Sequence, residues 1–441
     1  MGVRAENSTN YVHSDEPNLL NLHKAMEYNS AGQPIIRTQL GGANSPATDA
    51  FGRLRVSSPF TLFDSFHRYQ DNGKVNTYTA TGGSTTHDAN SSSILLNVNS
   101  TSGSAVYRET SKVFAYQPGK SLQTMQTFVM PAAHANTRCR IGYFDTANGI
   151  FLERDGTTVY LVKRSSSSGV LSETRIVQAN WNVNTLLGSS TNPTVLDLEV
   201  AQIFFMDFEW LGVGSVRCGF VINGQFVITH VFNHANVAGN TTTYMGTAIL
   251  PLRAEIENTG ATNGSRSFRV ICSTVTSEGG YEPIGRPRAA GTPLGSPRSI
   301  NNAAGMVPIM SMRLKSSRLG GFVTPKNFSV AVSGNYNFQW QIIVGGTTSG
   351  GAGTWTDAGS DSSVEYILDR TTITGGNVLE NGYIISSNQS VLAPSQSELF
   401  KYQLERNTFT NTATELTFCV ATSASGGNGS VWASVEWQET T

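Results

Sequence analysis

The stretch from Leu196 to His234, LDLEVAQIFFMDFEWLGVGSVRCGFVINGQFVITHVFNH, holds the longest apolar run in the chain and limits what the rest can become. Ile203 to Trp210 is too short and too aromatic for a helix with a polar face, and Gly212 and Gly214 end it at once. Val216 to Ile222 and Phe226 to Phe232 flank Asn223-Gly224. Asn-Gly between two β-rich runs signals a tight hairpin, because both residues accept the positive φ of a type I′ turn. Three antiparallel strands are therefore expected, placed in the middle of a sandwich. Phe204, Phe205, Phe208, Trp210, Phe220 and Phe226 are its candidate anchors, since burying a large aromatic side chain contributes roughly 1.5–3 kcal/mol.

The remainder reads the same way. Charged residues are only 14% of the 441, while Gly numbers 44, a balance that suits many strands and turns rather than helices or disorder. From Phe60 to about Glu282, short β-type runs such as SSILLNVNS, RCRIGYFD, GIFLERD and SFRVICSTVTS alternate with turn signals at Gln117-Pro118-Gly119, Asn148-Gly149 and Asp155-Gly156. That spacing predicts a two-sheet sandwich of jelly-roll type over residues 59–282. Residues 283–305, rich in Pro, Gly and Arg, read as a semi-extended linker. A second, smaller β-sandwich of about eight strands is expected over 306–441, its last strand alternating Val431, Ala433, Val435 and Trp437 against Trp432, Ser434 and Glu436. Residues 1–58 read as an extended arm, with a short helix starting near Asp15-Glu16-Pro17 and carrying Leu19, Leu20, Leu22 and Met26. Such a segment buries too little surface alone and is expected to order against a neighbouring subunit. The fold class is thus all-β, with two sandwiches in series behind an arm.

Several function classes lose support here. Thirty basic against 31 acidic residues leave a net charge of −1, which offers no field for nucleic acid or an anionic membrane. No apolar run reaches the ~18 residues of a membrane-spanning helix, and the first residues lack the apolar core of a secretion signal. Cys139, Cys218, Cys272 and Cys419 are scattered in apolar strand-like contexts, so buried reduced thiols are expected, consistent with folding in a cytoplasm.

Catalytic and binding candidates are few. His230 and His234 have a spacing that binds metal on a helix, but here they leave a strand, so no metal or other cofactor is assigned. Asp207 and Glu209 stand two apart on a strand, which projects both to one face, and Glu255 and Glu257 repeat the pattern. Paired carboxylates across a sheet are how glycosidases arrange an acid with a nucleophile or base. The alternative is an ion-pair network in which Arg140, Arg217 or Arg253 holds these acids. Gly212-Val213-Gly214 and Gly119-Lys120-Ser121 do not lead from a strand into a helix and read as turns. Trp355, Tyr366 or Trp432, if exposed, would stack on sugars. No catalytic residue is assigned, and the chain is expected not to be an enzyme.

DAFGRLRVSSPFTLFDS, YQPGKS, RCRIGYFDTANGIF, DFEWLGVGSVRCGFVINGQ and ICSTVTSEGGYEP, taken in that order, resemble a family of virion structural proteins of tailed bacteriophages, especially those of aquatic hosts. The resemblance spans roughly residues 48–283, with weaker likeness at PIMSMRLK and SVEWQE. It implies a place in the virion after synthesis in the host cytoplasm, with other virion proteins as partners and no catalytic motif. Tail, baseplate or fibre association is favoured; capsid decoration or a vertex position is the alternative, and a glycan-binding or glycan-cleaving role is a second one. The arm suggests a homo-oligomer, most plausibly a trimer.

Overall fold

A computed structural model describes residues 26–28, 34–36, 48–49, 55 and 58–440, less 191–192, 283, 302–304, 335, 386–390, 393–401 and 424–427. Among the described residues the only helical turns are two of 3-10 type, Gln178–Asn180 and Ser316–Arg318. None is a helix long and apolar enough to cross a membrane. The protein is all-β, a jelly-roll-like sandwich followed by a second, smaller one.

The first sandwich packs a seven-stranded sheet on an eight-stranded one. The seven-stranded sheet runs Ser172–Val177, Thr158–Ser165, Gly149–Asp155, Thr137–Phe144, Leu252–Asn258, Ala105–Thr110, Val75–Ala80, every neighbour antiparallel. The eight-stranded sheet takes Gln225–Phe232, Val216–Ile222, Gln202–Phe208, Leu122–Val129, Arg266–Ser277, Ser93–Val98 and Ser84–Asp88 in that order, and Phe60–Ser65 pairs with Arg266–Ser277 off the main path. The expected three-strand unit is present, and its turn has the predicted geometry, with Asn223 at φ 51° and Gly224 at φ 75°. It lies at the end of the sheet, however, and not in the middle. The strand Gln225–Phe232 is an edge, and residues 182–184 cover it: the amides of Val183 and Asn184 both donate to the Thr229 carbonyl, at 3.1 and 3.0 Å. Capping an edge this way removes a template for unwanted pairing.

Alternation decides which aromatics reach the core. Phe204, Met206 and Phe208 face the opposite sheet, where the Tyr143 ring meets Phe208 edge-on at 4.9 Å. Phe220 joins them across the strand pairing from Phe204. Phe205 and Phe226 belong to the outer face and pack on each other at 4.9 Å, while Trp210 lies beyond the strand end and is half-buried. Cys139, Cys218 and Cys419 are buried free thiols, as expected; Cys272 is exposed.

The second sandwich has a five-stranded and a six-stranded sheet. Asn428–Thr440 runs through the first, burying Val431, Ala433, Val435 and Trp437. Its neighbour on one side is Phe322–Ser333. On the other side lie Arg286–Gly291, against residues 434–439, and Arg298–Asn301, against residues 428–431. The expected 283–305 linker therefore contains two edge strands. Edge strands tolerate Pro and charge, because one side of the backbone has no partner to satisfy, and that composition resembles a spacer.

The N-terminal region also differs from a free arm. Met26–Tyr28 pairs with Pro34–Ile36, so Met26 lies in a strand, while the rest of the expected helix falls outside the described residues. Thr48 and Asp49 are buried against the first sandwich.

Candidate functional site

The outer face of the seven-stranded sheet concentrates the chain's charged chemistry, and strand register builds it. Antiparallel pairing sets Arg140 directly opposite Glu153 on one side and Glu255 on the other. It sets Arg138 between Asp155 and Glu257, and Arg253 opposite Glu109. Opposite charges at facing positions attract across a sheet. Arg140 Nε donates to Glu153 at 2.7 Å and its Nη1 to Glu255 at 3.2 Å. Arg253 Nε donates to Glu255 at 2.5 Å, and its Nη1 to Glu109 at 2.7 Å. Arg138 and the Tyr107 hydroxyl close on Glu257 at 2.7 and 2.6 Å. Arg175 holds both Glu153 and Asp155.

Beneath the guanidinium groups lies a second apolar cluster, Phe144, Phe151 and Val162, all fully buried. Arg164 stands 4.9 Å over the Phe151 ring and 5.5 Å over Phe144, and Arg253 lies 5.8 Å over Phe144. These cation–π contacts seal the rings from water without a covering helix. Gly142 lies in the midst of this layer because a Cβ there would come within 2.6 Å of the Phe151 backbone.

A glycosidase needs a carboxyl kept protonated near neutrality and a second carboxylate across a gap that admits substrate. The acids of this face are instead held in ion pairs. Burial alone would raise the Glu257 carboxyl; the hydrogen bond from Tyr107 and the charges of Arg138 and Arg140 outweigh it and hold it below the usual carboxylate range. Arg140 is held more firmly protonated, its burial outweighed by Glu255 and Glu153. Glu109, Glu153, Glu255 and Glu257 all accept hydrogen bonds from arginine.

The sequence candidates do not converge. Asp207 is fully buried on the outer face of the other sheet, where Arg217 faces it across the strand pair and Arg55 and Ser121 also reach it. Glu209 does not share its strand, which ends at Phe208; Glu209 belongs to a turn in which its amide donates to Ser215 at 2.9 Å. Asp207 and Glu255 thus lie on opposite sides of the sandwich. The arginines named as possible partners do pair these acids.

His230 Nδ1 accepts the Asn182 amide at 3.2 Å, and burial draws its pKa down to about 4. His234 Nε2 lies 2.6 Å from the Thr242 carbonyl. The strand ends at Phe232, so the two histidines do not share a regular element. Among the described residues no group of three or more His, Cys, Asp or Glu is arranged to hold an ion. Gly119 and Gly212 take positive φ in tight turns, as read from the sequence. Trp355 lies flat against Arg313 at 3.9 Å, Trp432 Nε1 donates to Leu294 at 3.0 Å, and Tyr366 packs against the second core.

Sequence reading missed Glu109, Glu153, Arg55 and Ser121. The alternating charges of RCR, LERD and RAEIE carry a signal for the lattice, but only pairing order reveals which meet.

No protein-family model matches the chain, and no curated protein does. Solved structures match parts of the chain at low identity. An endo-1,3-beta-glucanase from Streptomyces sioyaensis is 12% identical, with a TM-score of 0.35 over 51% of this chain and 98% of that one. The Emp47p carbohydrate recognition domain is 10% identical, with a TM-score of 0.32 over 50% and 97%. A protein of unknown function from Shewanella oneidensis MR-1 is 11% identical, with a TM-score of 0.33 over 55% and 99%.

Proposed function

We propose that this chain is a non-enzymatic structural component of a tailed-phage virion, assembled through its N-terminal region and first sandwich. The observation that carries the reading is the state of the acids: Asp207, Glu255 and Glu257 are clamped by arginine, and the rings on the face that holds Glu255 and Glu257 are covered by Arg164 and Arg253. A surface of that kind is a rigid block. It is suited to packing against other subunits, where a catalytic face would keep a carboxylate and a gap for substrate.

The ordered motifs between residues 48 and 283 support virion membership. Thr48, Asp49 and Arg55 are held against the body, and on this reading the N-terminal segment ties a neighbouring copy or another virion protein. Tail, baseplate or fibre association is the placement we favour, and a capsid decoration or vertex position is the competing one. A trimer is the expected assembly.

Immunogold labelling of intact particles tests the reading directly. Label on the tail supports it as stated, label on the head moves the protein to the capsid, and unlabelled particles with antigen only in the lysate overturn virion membership. Mass photometry should find a trimer; a monomer both alone and in dissociated particles would refute the assembly. Reducing-sugar release from host polysaccharide by the wild type would overturn the non-enzymatic part.

A further inference from the structure

Sheet edges present unpaired backbone N–H and C=O groups, and proteins guard them with charge, proline, brevity or a covering segment. Among the described residues most edges of the two sandwiches carry such a guard. Residues 182–184 cover Gln225–Phe232. Val75–Ala80 meets the second sandwich, with Asn76 Nδ2 donating to the Arg406 carbonyl at 2.7 Å and the Tyr78 ring 5.8 Å from Phe409. Ser172–Val177 carries Glu173 and Arg175, Ser84–Asp88 carries His87 and Asp88, and Arg286–Gly291 carries Pro287 with two arginines. Thr356–Asp357 is only two residues long.

Asn377–Ile385 is the exception. It ends the six-stranded sheet, runs for nine residues and holds no Pro, Lys or Arg; Glu380 is its one charge. A bulge at Leu379 leaves Glu380–Ile385 paired residue for residue with Asn337–Ile342. Along that regular stretch Gly382 and Ile384 stand opposite Trp340 and Phe338 of the second core, and a Cβ on Gly382 would come within 2.7 Å of the Trp340 ring. Asn381 and Tyr383 therefore belong to the outer face, opposite Gln341 and Gln339, and both are exposed, Tyr383 by 68%. Val378 and Leu379 add two exposed apolar side chains beside them. A long edge of this kind is a template for another strand.

We infer that Asn377–Ile385 pairs antiparallel with the same strand of a second copy of this chain, joining two six-stranded sheets into one. Charge favours this arrangement. Glu380 begins the regular stretch, so antiparallel copies hold their glutamates at opposite ends, and the residues between are uncharged. Any guarded edge of a second copy would instead bring charge, proline or a covering segment against it. A two-fold contact also closes on itself and uses both free edges, whereas a head-to-tail one leaves an edge from which a filament grows. The contact lies on the second sandwich and does not rest on the virion reading. It is additional to the trimer proposed through the N-terminal region and first sandwich.

The test compares the wild type with Asn381→Lys/Tyr383→Lys, which sets lysines against lysines across the contact at two exposed positions. In sedimentation velocity of the full-length proteins at one concentration, the wild type should form a species of twice the variant's mass. The variant should need about tenfold more protein, or above, to reach that species, with Tm unchanged. Hydrogen exchange should show the amides of residues 377–385 slowing as the wild type doubles, while those of Ser172–Val177 do not. Equal masses for the two folded proteins at every concentration would overturn the inference. So would slow exchange of residues 380–385 in an undoubled wild type, since the edge would then be covered within its own copy. A doubled wild type whose exchange slows at another edge would overturn it too. Should the lysine variant fail to fold, the exchange measurement still decides.

Discussion

Arg55 Nη2 lies 2.6 Å from Asp207 Oδ2, although 152 positions separate the two in the chain. Asp207 therefore carries two arginines on one carboxylate oxygen, Arg55 from the N-terminal segment and Arg217 from the neighbouring strand. Arg55 also reaches Glu278, and Arg217 Nη2 donates to the Thr48 carbonyl at 2.5 Å. An acid that alternation offers as a catalytic candidate is instead the point where the chain's first segment is fastened to the body.

Asp207→Asn and Arg55→Ala should separate two parts of that fastening. The first leaves Arg217 buried against a neutral partner, which typically costs ~3–5 kcal/mol, and should lower Tm markedly. The second removes the end of the network nearest the surface, Arg55 being 19% exposed where Asp207 is fully buried. It should leave Tm close to wild type while trypsin cuts within residues 48–59 several-fold faster. Equal Tm losses in both variants would mean that Arg55 is part of the core of the fold and no mere tether.

Glu153 offers a test of the arginine lattice, because it is fully buried and holds both Arg140 and Arg175. Glu153→Gln removes one negative charge from beneath two positive ones. The expected loss is ~3–5 kcal/mol, read by urea denaturation. Glu173→Gln, which affects a single partly exposed pair with Arg164, should cost no more than ~1 kcal/mol. Similar costs at both sites would show that the lattice does not act as a unit.

Much of the architecture was legible from local pattern. Asn223-Gly224 fixed a hairpin because the turn type demands those residues, and Val431 to Trp437 announced its buried face by alternation. The lattice was not legible, because Arg140 meets Glu153 and Glu255 across 13 and 115 positions. Only the neighbour order of the sheet decides that. Asp207 and Glu209 misled for a related reason: the strand ends between them at Phe208, and boundaries are the least certain part of a pattern. Residues 286–301 were misread because an edge strand and a linker share the same Pro- and charge-bearing composition.

Arg406 should govern whether the two sandwiches unfold together. Its side chain is 2% exposed, with Nη2 2.9 Å from Glu109 of the first sandwich and Nη1 donating to the Thr110 carbonyl at 2.6 Å. Its own amide adds a bond to the Ser111 carbonyl at 3.0 Å. Calorimetry of the wild type should give one transition. Arg406→Ala removes the charged plug while Arg253 still satisfies Glu109, so each sandwich stays folded and the single transition should split into two. A single, merely lowered transition would show that the apolar contacts around Phe322 suffice for coupling.

His230 predicts an acid limit whose sign follows from its burial. The ring is buried, its Nδ1 accepts the Asn182 amide, and its pKa falls to about 4 from an ordinary 6.5. Between those values the unfolded chain binds a proton that the folded chain refuses, so stability rises with pH across this window and is lost as pH falls from about 6.5 towards 4. The full shift corresponds to about 3 kcal/mol at most. His67, also drawn down by burial, adds a loss of the same sign. Glu257, held low by Tyr107 and its arginines, gives up its contribution only at lower pH. Replacing His230 by Gln keeps an acceptor for Asn182 without a titrating ring. Urea denaturation at pH 7.5 and pH 4.5 should show the wild type losing most of that stability and His230→Gln losing only the part due to His67. An equally steep loss in the variant would assign the acid limit to other groups.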